Sequence, residues 1–234
     1  MRAQTNSPHV GSNEPPAKTQ GHIVLMDIET SAQKELLSLS DPFTHVVAAG
    51  QNFIYHHEQS LVLASGETGA TVREFKLDAP VAQFALSNNR RLLAAADNAG
   101  SLYVFELATG QRRRVSKDKI KALSCLAVTN DGRNVYTTEF EASIRRWDTQ
   151  TDTPTQIGGV RGQCRALSLS QDERRLVIGG NHRDFAVYDA HTGKRIGYFD
   201  TEAADFYVTN VWLAGDHLIY TTDGGVLFAG QLQQ

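Results

Sequence analysis

The chain has 234 residues, of which 41% are hydrophobic and 21% are charged, and this balance is that of an ordinary globular protein. It argues against wholesale disorder, and no apolar run is long enough to form a membrane-spanning helix. The formal net charge of −3 gives no general attraction to nucleic acid or to an anionic membrane.

Residues 1–20 are polar, contain three prolines and predict a disordered tail. They lack the apolar region of a secretory signal, so we expect a cytoplasmic protein. The two cysteines, Cys125 and Cys164, are too few for a disulfide framework. We expect reduced and partly buried thiols rather than a disulfide bridge or a metal site.

A short phrase, in most copies an apolar residue followed by an acid, recurs six times at steps of 38 to 42 residues. Its copies are Met26-Asp27, Ala64-Ser65, Phe105-Glu106, Trp147-Asp148, Tyr188-Asp189 and Phe228-Ala229. In the first five copies a threonine stands four residues after the first member: Thr30, Thr68, Thr109, Thr151 and Thr192. A period near 40 built from short apolar runs predicts the blades of a β-propeller over residues 21–234.

The predicted strands follow in chain order. The first copy supplies only two strands, at 22–28 and 34–40. Four copies each predict an antiparallel four-stranded blade, because short apolar runs alternate with turn-forming residues throughout. The last copy supplies three strands, at 210–213, 217–222 and 226–231. The sequence therefore predicts an all-β fold with four complete blades and partial first and last copies.

Two schemes could close such a ring. In one, the two strands of the first copy serve as the third and fourth strands of a blade, and the last copy supplies the first and second strands. This scheme gives five blades and leaves one strand spare. In the other, the chain is cut from a longer ring of six or seven blades. The second scheme is favoured because the spare strand at 226–231 matches the repeat well, and it leaves an open sheet edge that another strand could join.

The segment Ser143-Ile-Arg-Arg-Trp147-Asp148 completes the motif of a known repeat, and Tyr188-Asp189 and Phe105-Glu106 are near variants of it. On these residues the chain resembles a divergent member of the WD-repeat β-propeller family, over about residues 22–231. The resemblance implies a rigid platform that binds other proteins. The Gly-His pair that often opens such repeats is absent at the expected places.

In a propeller, one face is formed by the loops that join the second to the third strand and the fourth strand to the next blade. Aromatic and arginine side chains in these loops are candidate anchors for a protein partner, because such residues dominate interfaces. The candidates are Phe43, Phe140, Arg161, His182, Arg183 and Phe206. Each aromatic residue could equally pack between blades.

Residues 111–121 contain six cations and a single anion, Asp118. This candidate basic patch consists of Arg112, Arg113, Arg114, Lys117, Lys119 and Lys121. It could meet an acidic protein or, less favourably, a nucleic-acid backbone. The simpler explanation is a solvated outer strand whose charges discourage aggregation between sheets.

The sequence therefore favours a non-enzymatic protein-interaction scaffold with no cofactor, no metal and no membrane contact. One rival is a propeller enzyme or cofactor-binding domain that resembles quinoproteins or lactonases. That rival needs a cage of carboxylate, asparagine and histidine ligands around an axial metal, which the sequence does not reveal. A second rival is an RNA-associated scaffold that uses residues 111–121.

Overall fold

The structure is a computed structural model that describes residues 21–27, 29–39, 45–116, 120–139, 143–159, 163–180, 184–200, 208–223 and 227–231. Side chains are described at these positions except 184, 199, 200 and 231. All regular structure in these ranges is β-strand, which confirms the predicted all-β class. No helix within the described ranges is long and apolar enough to span a membrane.

The chain divides into two compact units at residues 44 and 45. The described part of the first unit is an antiparallel hairpin of β1 (Gly21–Met26) and β2 (Gln33–Leu39). Its turn is held by Asp27, whose carboxylate accepts hydrogen bonds from the N–H groups of Glu29 and Thr30 at 2.9 and 2.8 Å. These are the two partial strands that the sequence predicts for the first copy.

The second unit is a five-bladed β-propeller whose blades are antiparallel sheets in chain order. Blades 1 to 4 have four strands each. Blade 1 consists of β3 (Val46–Ala49), β4 (Asn52–His57), β5 (Ser60–Ser65) and β6 (Thr71–Lys76), and blade 2 of β7 (Val81–Leu86), β8 (Leu92–Asp97), β9 (Leu102–Glu106) and β10 (Arg112–Arg114). Blade 3 consists of β11 (Leu123–Val128), β12 (Asn134–Glu139), β13 (Ser143–Asp148) and β14 (Thr153–Gly159), and blade 4 of β15 (Cys164–Leu169), β16 (Arg175–Gly180), β17 (Asp184–Asp189) and β18 (Arg195–Asp200). Blade 5 has three: β19 (Val208–Ala214), β20 (His217–Thr222) and β21 (Leu227–Gln231). The four predicted complete blades are confirmed.

Blade 5 takes its third strand from its own repeat. β20 is hydrogen-bonded on one side to β19 and on the other to β21. The predicted strand at 226–231 is therefore part of this sheet and is not spare. The second unit has the five blades of the first scheme and not the six or seven blades of the scheme that the sequence favoured.

The hydrophobic core lies between neighbouring blades. Four buried clusters join blade 1 to 2, 2 to 3, 3 to 4, and 4 to 5. In the first, Phe75 and Phe105 meet edge to face with their ring centroids 5.4 Å apart. In the second, Trp147 is fully buried and its indole N–H donates a 2.9 Å hydrogen bond to the Thr137 hydroxyl. Each blade thus covers the apolar face of the next, as expected of a repeat array.

Arginine side chains also tie neighbouring blades together. Arg73 on the outer strand of blade 1 donates hydrogen bonds at 2.9 and 3.0 Å to the carbonyl groups of Ala108 and Thr109 in blade 2. Arg175 in blade 4 pairs with Asp216 in blade 5 at 2.7 Å. Planar guanidinium groups suit such contacts because they present several donors in a fixed geometry.

The recurring phrase is a turn device between the third and fourth strands. The Asp189 carboxylate accepts hydrogen bonds from the N–H groups of His191 and Thr192 at 3.1 and 2.6 Å, and Asp148 has the same role one blade earlier. The Gly193 that follows has a φ of 72°, a conformation that glycine adopts without strain. The phrase therefore repeats because each blade must turn, and it does not indicate a ligand.

Candidate functional site

A β-bulge recurs near the start of the innermost strand in blades 2 to 5. In each blade the pairing with the second strand slips by one residue, so that one extra residue of the inner strand is inserted into the register. The extra residues are Ala82, Ser124, Arg165 and Thr209. Bulges redirect side chains and often lie next to functional sites. The repeat of this bulge marks one end of the inner strands.

A cavity of about 440 Å³ opens at that end, and we call it the channel mouth. All four bulged strands, or the residues just before them, contribute to its wall. The lining residues are Gln83, Ala122, Leu123, Ser124, Gln163, Cys164, Arg165, Val208 and Thr209. The mouth lies on the face where the fourth strand of one blade connects to the next, which is the face that the sequence favours for partner binding.

The channel mouth is polar and carries a single formal charge among its described lining residues, that of Arg165. Ser124 and Thr209 add hydroxyl groups, and Gln163 adds an amide. Ala122 has a φ of 45°, which is uncommon for a residue other than glycine. A guanidinium group beside hydroxyl and amide donors suits a carboxylate or another oxyanion, because hydrogen bonds to charged acceptors are the strong ones.

The turns at the opposite end of the inner strands are joined by hydrogen bonds. The side chain of Asn88 in blade 2 donates to the carbonyl of Ser170 in blade 4 at 2.9 Å. Asn130 in blade 3 accepts from the N–H of Asn89 at 2.7 Å, and its own N–H donates to Glu173 at 2.6 Å. Blades 2 to 4 are thus fixed to one another beneath the channel mouth.

Two arginines of the candidate basic patch make contacts within blades 1 and 2. Arg112 pairs with Asp78 at 2.9 Å and lies over the ring of Tyr103. Hydrogen bonds from Tyr103 and then from Arg112 hold the pKa of Asp78 below its ordinary value. Arg114 donates a hydrogen bond to the Ser101 hydroxyl at 2.8 Å. These cations support the fold, and a partner-binding role for them stays a prediction.

The rest of the patch is divided. Arg113 donates hydrogen bonds to the carbonyl of Gly132 at 3.0 Å and to the hydroxyl of Thr149 at 2.7 Å, both in the following blade. Lys121 is exposed and lies just before β11. Lys117 and Lys119 lie outside the described residues.

The sequence offers six candidate anchors for a protein partner. All six lie outside the described residues: Phe43, Phe140, Arg161, His182, Arg183 and Phe206. Their role in partner binding therefore stays a prediction.

A second groove lies between blades 1 and 2 at the other end of the strands. It has a volume of about 570 Å³, and its wall includes Val72, Arg73, Arg91 and Glu106. Arg73 already binds the carbonyl groups of blade 2 across this groove. The groove therefore coincides with a tie between blades, whereas the channel mouth is formed by four blades together.

Histidine, cysteine and acidic side chains are the groups that could hold a metal ion. Within the described ranges no group of three or more of them is placed to hold a metal ion. Burial, and then the neighbouring His56, lower the pKa of His45, so this side chain favours its neutral form.

No protein-family model and no curated protein matches the chain. The assignment of the fold therefore depends on the strand order and on the packing between blades.

Proposed function

We propose that this protein is a non-enzymatic interaction scaffold that holds an acidic segment of a protein partner at the channel mouth. The observation that supports this proposal is the repeated bulge, which brings Ser124, Arg165 and Thr209 from three adjacent blades to one polar cavity. A bulge interrupts the regular pairing of strands. Its recurrence near the start of four inner strands supports a binding role for this end of the strands.

The choice of an acidic partner follows from the charges. Arg165 is exposed and is the single charged residue in the described lining, so an aspartate or glutamate side chain would complement it. Ser124 adds a hydroxyl group that can donate a hydrogen bond, and the Thr209 hydroxyl, which shares a 2.9 Å hydrogen bond with Thr221, lies in the same wall. A rigid frame lowers the ordering cost of binding, and the bonds between the turns of blades 2 to 4 supply such a frame.

The proposal also includes the relationship to WD-repeat proteins and a cytoplasmic location. The five-bladed propeller supports the first, together with the buried Trp147 of the most complete motif and its hydrogen bond to Thr137. Two free thiols support the second, because reducing compartments keep cysteines in that form.

The test is affinity capture with the purified full-length chain as bait. Wild type is compared with Arg165→Glu at the mouth and with Lys194→Glu, an exposed residue in the turn between β17 and β18 at the opposite end of the strands. We expect Arg165→Glu to reduce recovery of a specific partner at least about tenfold. The reason is that like charges placed opposite each other in an interface weaken binding by several kcal/mol. Lys194→Glu should leave recovery unchanged.

Substitutions in the partner then identify the acidic residues that contact the channel mouth. Acidic residues in its captured segment are changed to asparagine or glutamine, and binding to wild type should weaken. Equal capture by wild type and Arg165→Glu, with equal melting temperatures, would overturn the proposal.

A further inference from the structure

The two cysteines meet between blades 3 and 4 although they are far apart in sequence. Cys125 lies in β11 and Cys164 in β15, which are the neighbouring inner strands of these blades. Their sulfur atoms are 3.7 Å apart, which is van der Waals contact for two thiols. Both thiols are free.

The two cysteines differ in burial, and hydrogen bonds hold both of them in place. Cys164 is 1% exposed and lines the channel mouth, while Cys125 is half-buried. The N–H of Cys125 donates to the hydroxyl of Thr138 at 3.1 Å, and the Cys164 thiol lies 3.4 Å from the carbonyl of Ala166. The pair therefore lies beside a cavity that a small solute can enter, and Cys125 is the more exposed of the two residues.

Within the described residues no third metal-binding side chain joins the two thiols, so this pair does not form a three-ligand metal site. Two neighbouring thiols can form a reversible disulfide when an oxidant accepts the two electrons. A disulfide bond is about 2.05 Å long, and its Cβ atoms are about 3.8 Å apart. The two sulfur atoms must therefore approach each other from 3.7 Å to this bond length.

We propose that Cys125 and Cys164 are a peroxide-sensitive dithiol that closes into a disulfide between blades 3 and 4 beside the channel mouth. The hydrogen bond between the two sulfur atoms assists the first step. When Cys164 loses its proton, the Cys125 thiol donates to the thiolate, and this lowers the pKa of Cys164. The same hydrogen bond and burial raise the pKa of Cys125.

The reaction balances with hydrogen peroxide as the oxidant. The Cys164 thiolate attacks one peroxide oxygen, the O–O bond breaks, and hydroxide leaves and takes up a proton to become water. The product is a sulfenic acid on Cys164. The Cys125 sulfur then attacks the Cys164 sulfur, the S–O bond breaks, and the hydroxyl group leaves with the proton of Cys125 as a second water. Two thiols are oxidised and one peroxide is reduced.

The disulfide would add a covalent bond between two blades that are otherwise held by packing and by hydrogen bonds. It would also shift Cys164, which lies in the wall of the channel mouth and directly precedes the bulge residue Arg165. The proposal does not depend on which partner the mouth binds, since oxidation is measured on the isolated chain.

The experiment treats the purified full-length chain with graded hydrogen peroxide and then alkylates the remaining thiols. Intact mass and peptide mapping under non-reducing conditions report the products. We expect wild type to lose two hydrogen atoms, to resist alkylation, to yield a peptide pair linked through Cys125 and Cys164, and to return to the free thiols on treatment with dithiothreitol. The oxidised protein should melt at a higher temperature than the reduced protein.

Cys125→Ser and Cys164→Ser serve as controls, because serine keeps the size of the side chain but cannot form the bond. Each single variant should gain oxygen on the remaining cysteine or stay reduced, and neither should lose two hydrogen atoms as a monomer. If a variant does not fold, the wild-type peptide map and its reversal by dithiothreitol still decide the question. The proposal is overturned if wild type stays fully alkylatable at peroxide concentrations that oxidise free glutathione, or gains oxygen without forming the linked peptide.

Discussion

The hydrogen bond between Trp147 and Thr137 gives a quantitative test of how blade 3 is held. Both side chains are fully buried, and the indole N–H donates to the hydroxyl at 2.9 Å. Thr137→Val keeps the shape of the side chain but removes the acceptor, so the indole N–H is left buried without this partner. A buried donor without a partner costs about 1–3 kcal/mol, and we expect a loss of that size in the free energy of unfolding.

The assay is equilibrium unfolding in urea, followed by far-UV circular dichroism and by tryptophan fluorescence. The midpoint should fall while the slope with denaturant stays the same, which would show that stability changed and not the extent of unfolding. Thr71→Val is the matched control, since Thr71 is exposed on the outer strand of blade 1. It should change the free energy of unfolding by less than about 0.5 kcal/mol.

The reasoning would be refuted if Thr137→Val were as stable as the control. That result would mean that the indole finds another acceptor or that blade 3 does not depend on this contact. A fall in the slope of the unfolding curve would instead show that the variant no longer unfolds as one unit.

Three further changes test the packing between blades and the titration of a buried acid. Tyr136→Phe removes a 3.0 Å hydrogen bond to a backbone carbonyl of blade 4 and should cost about 1 kcal/mol in urea unfolding. Gly158→Ala places a Cβ 2.6 Å from the ring of Tyr188 and should cost about 1–3 kcal/mol, measured by the shift in urea midpoint. Burial raises the pKa of Glu139 above its ordinary value of 4.5, so the native state holds this proton more tightly than the unfolded chain. Wild type should therefore lose stability relative to Glu139→Gln as the pH rises from 4.5 through the raised pKa, and urea unfolding at several pH values should show no further change above it.

The architecture could be predicted because each blade needs packing residues and turn residues at the same positions, and these residues recur along the sequence. Phe105, Trp147 and Tyr188 of the phrase pack between blades. Asp148 and Asp189 close the turns that follow. Local interactions of this kind leave a clear pattern in the sequence. The role of β21 could not be predicted with certainty, because the choice between closure schemes depends on which edges pair, and this is not a local property.

The channel mouth was missed for a physical reason. A bulge changes the pairing by a single residue, and the four bulge residues share no side-chain property that would reveal it: Ala82, Ser124, Arg165 and Thr209. The available signal is the apolar residue that precedes each bulge residue at similar spacing, as Leu123 and Val208 do. The contact between the two cysteines was missed as well, because they stand two positions out of register in adjacent repeats.

The central claim is that partners bind at the channel mouth, and hydrogen–deuterium exchange of the captured complex tests it most directly. Binding there should slow exchange of the backbone amides at the starts of β11, β15 and β19, and the outer strands β10, β14 and β18 should be unchanged. Protection confined to those outer strands, with no change at the three inner strands, would contradict the account.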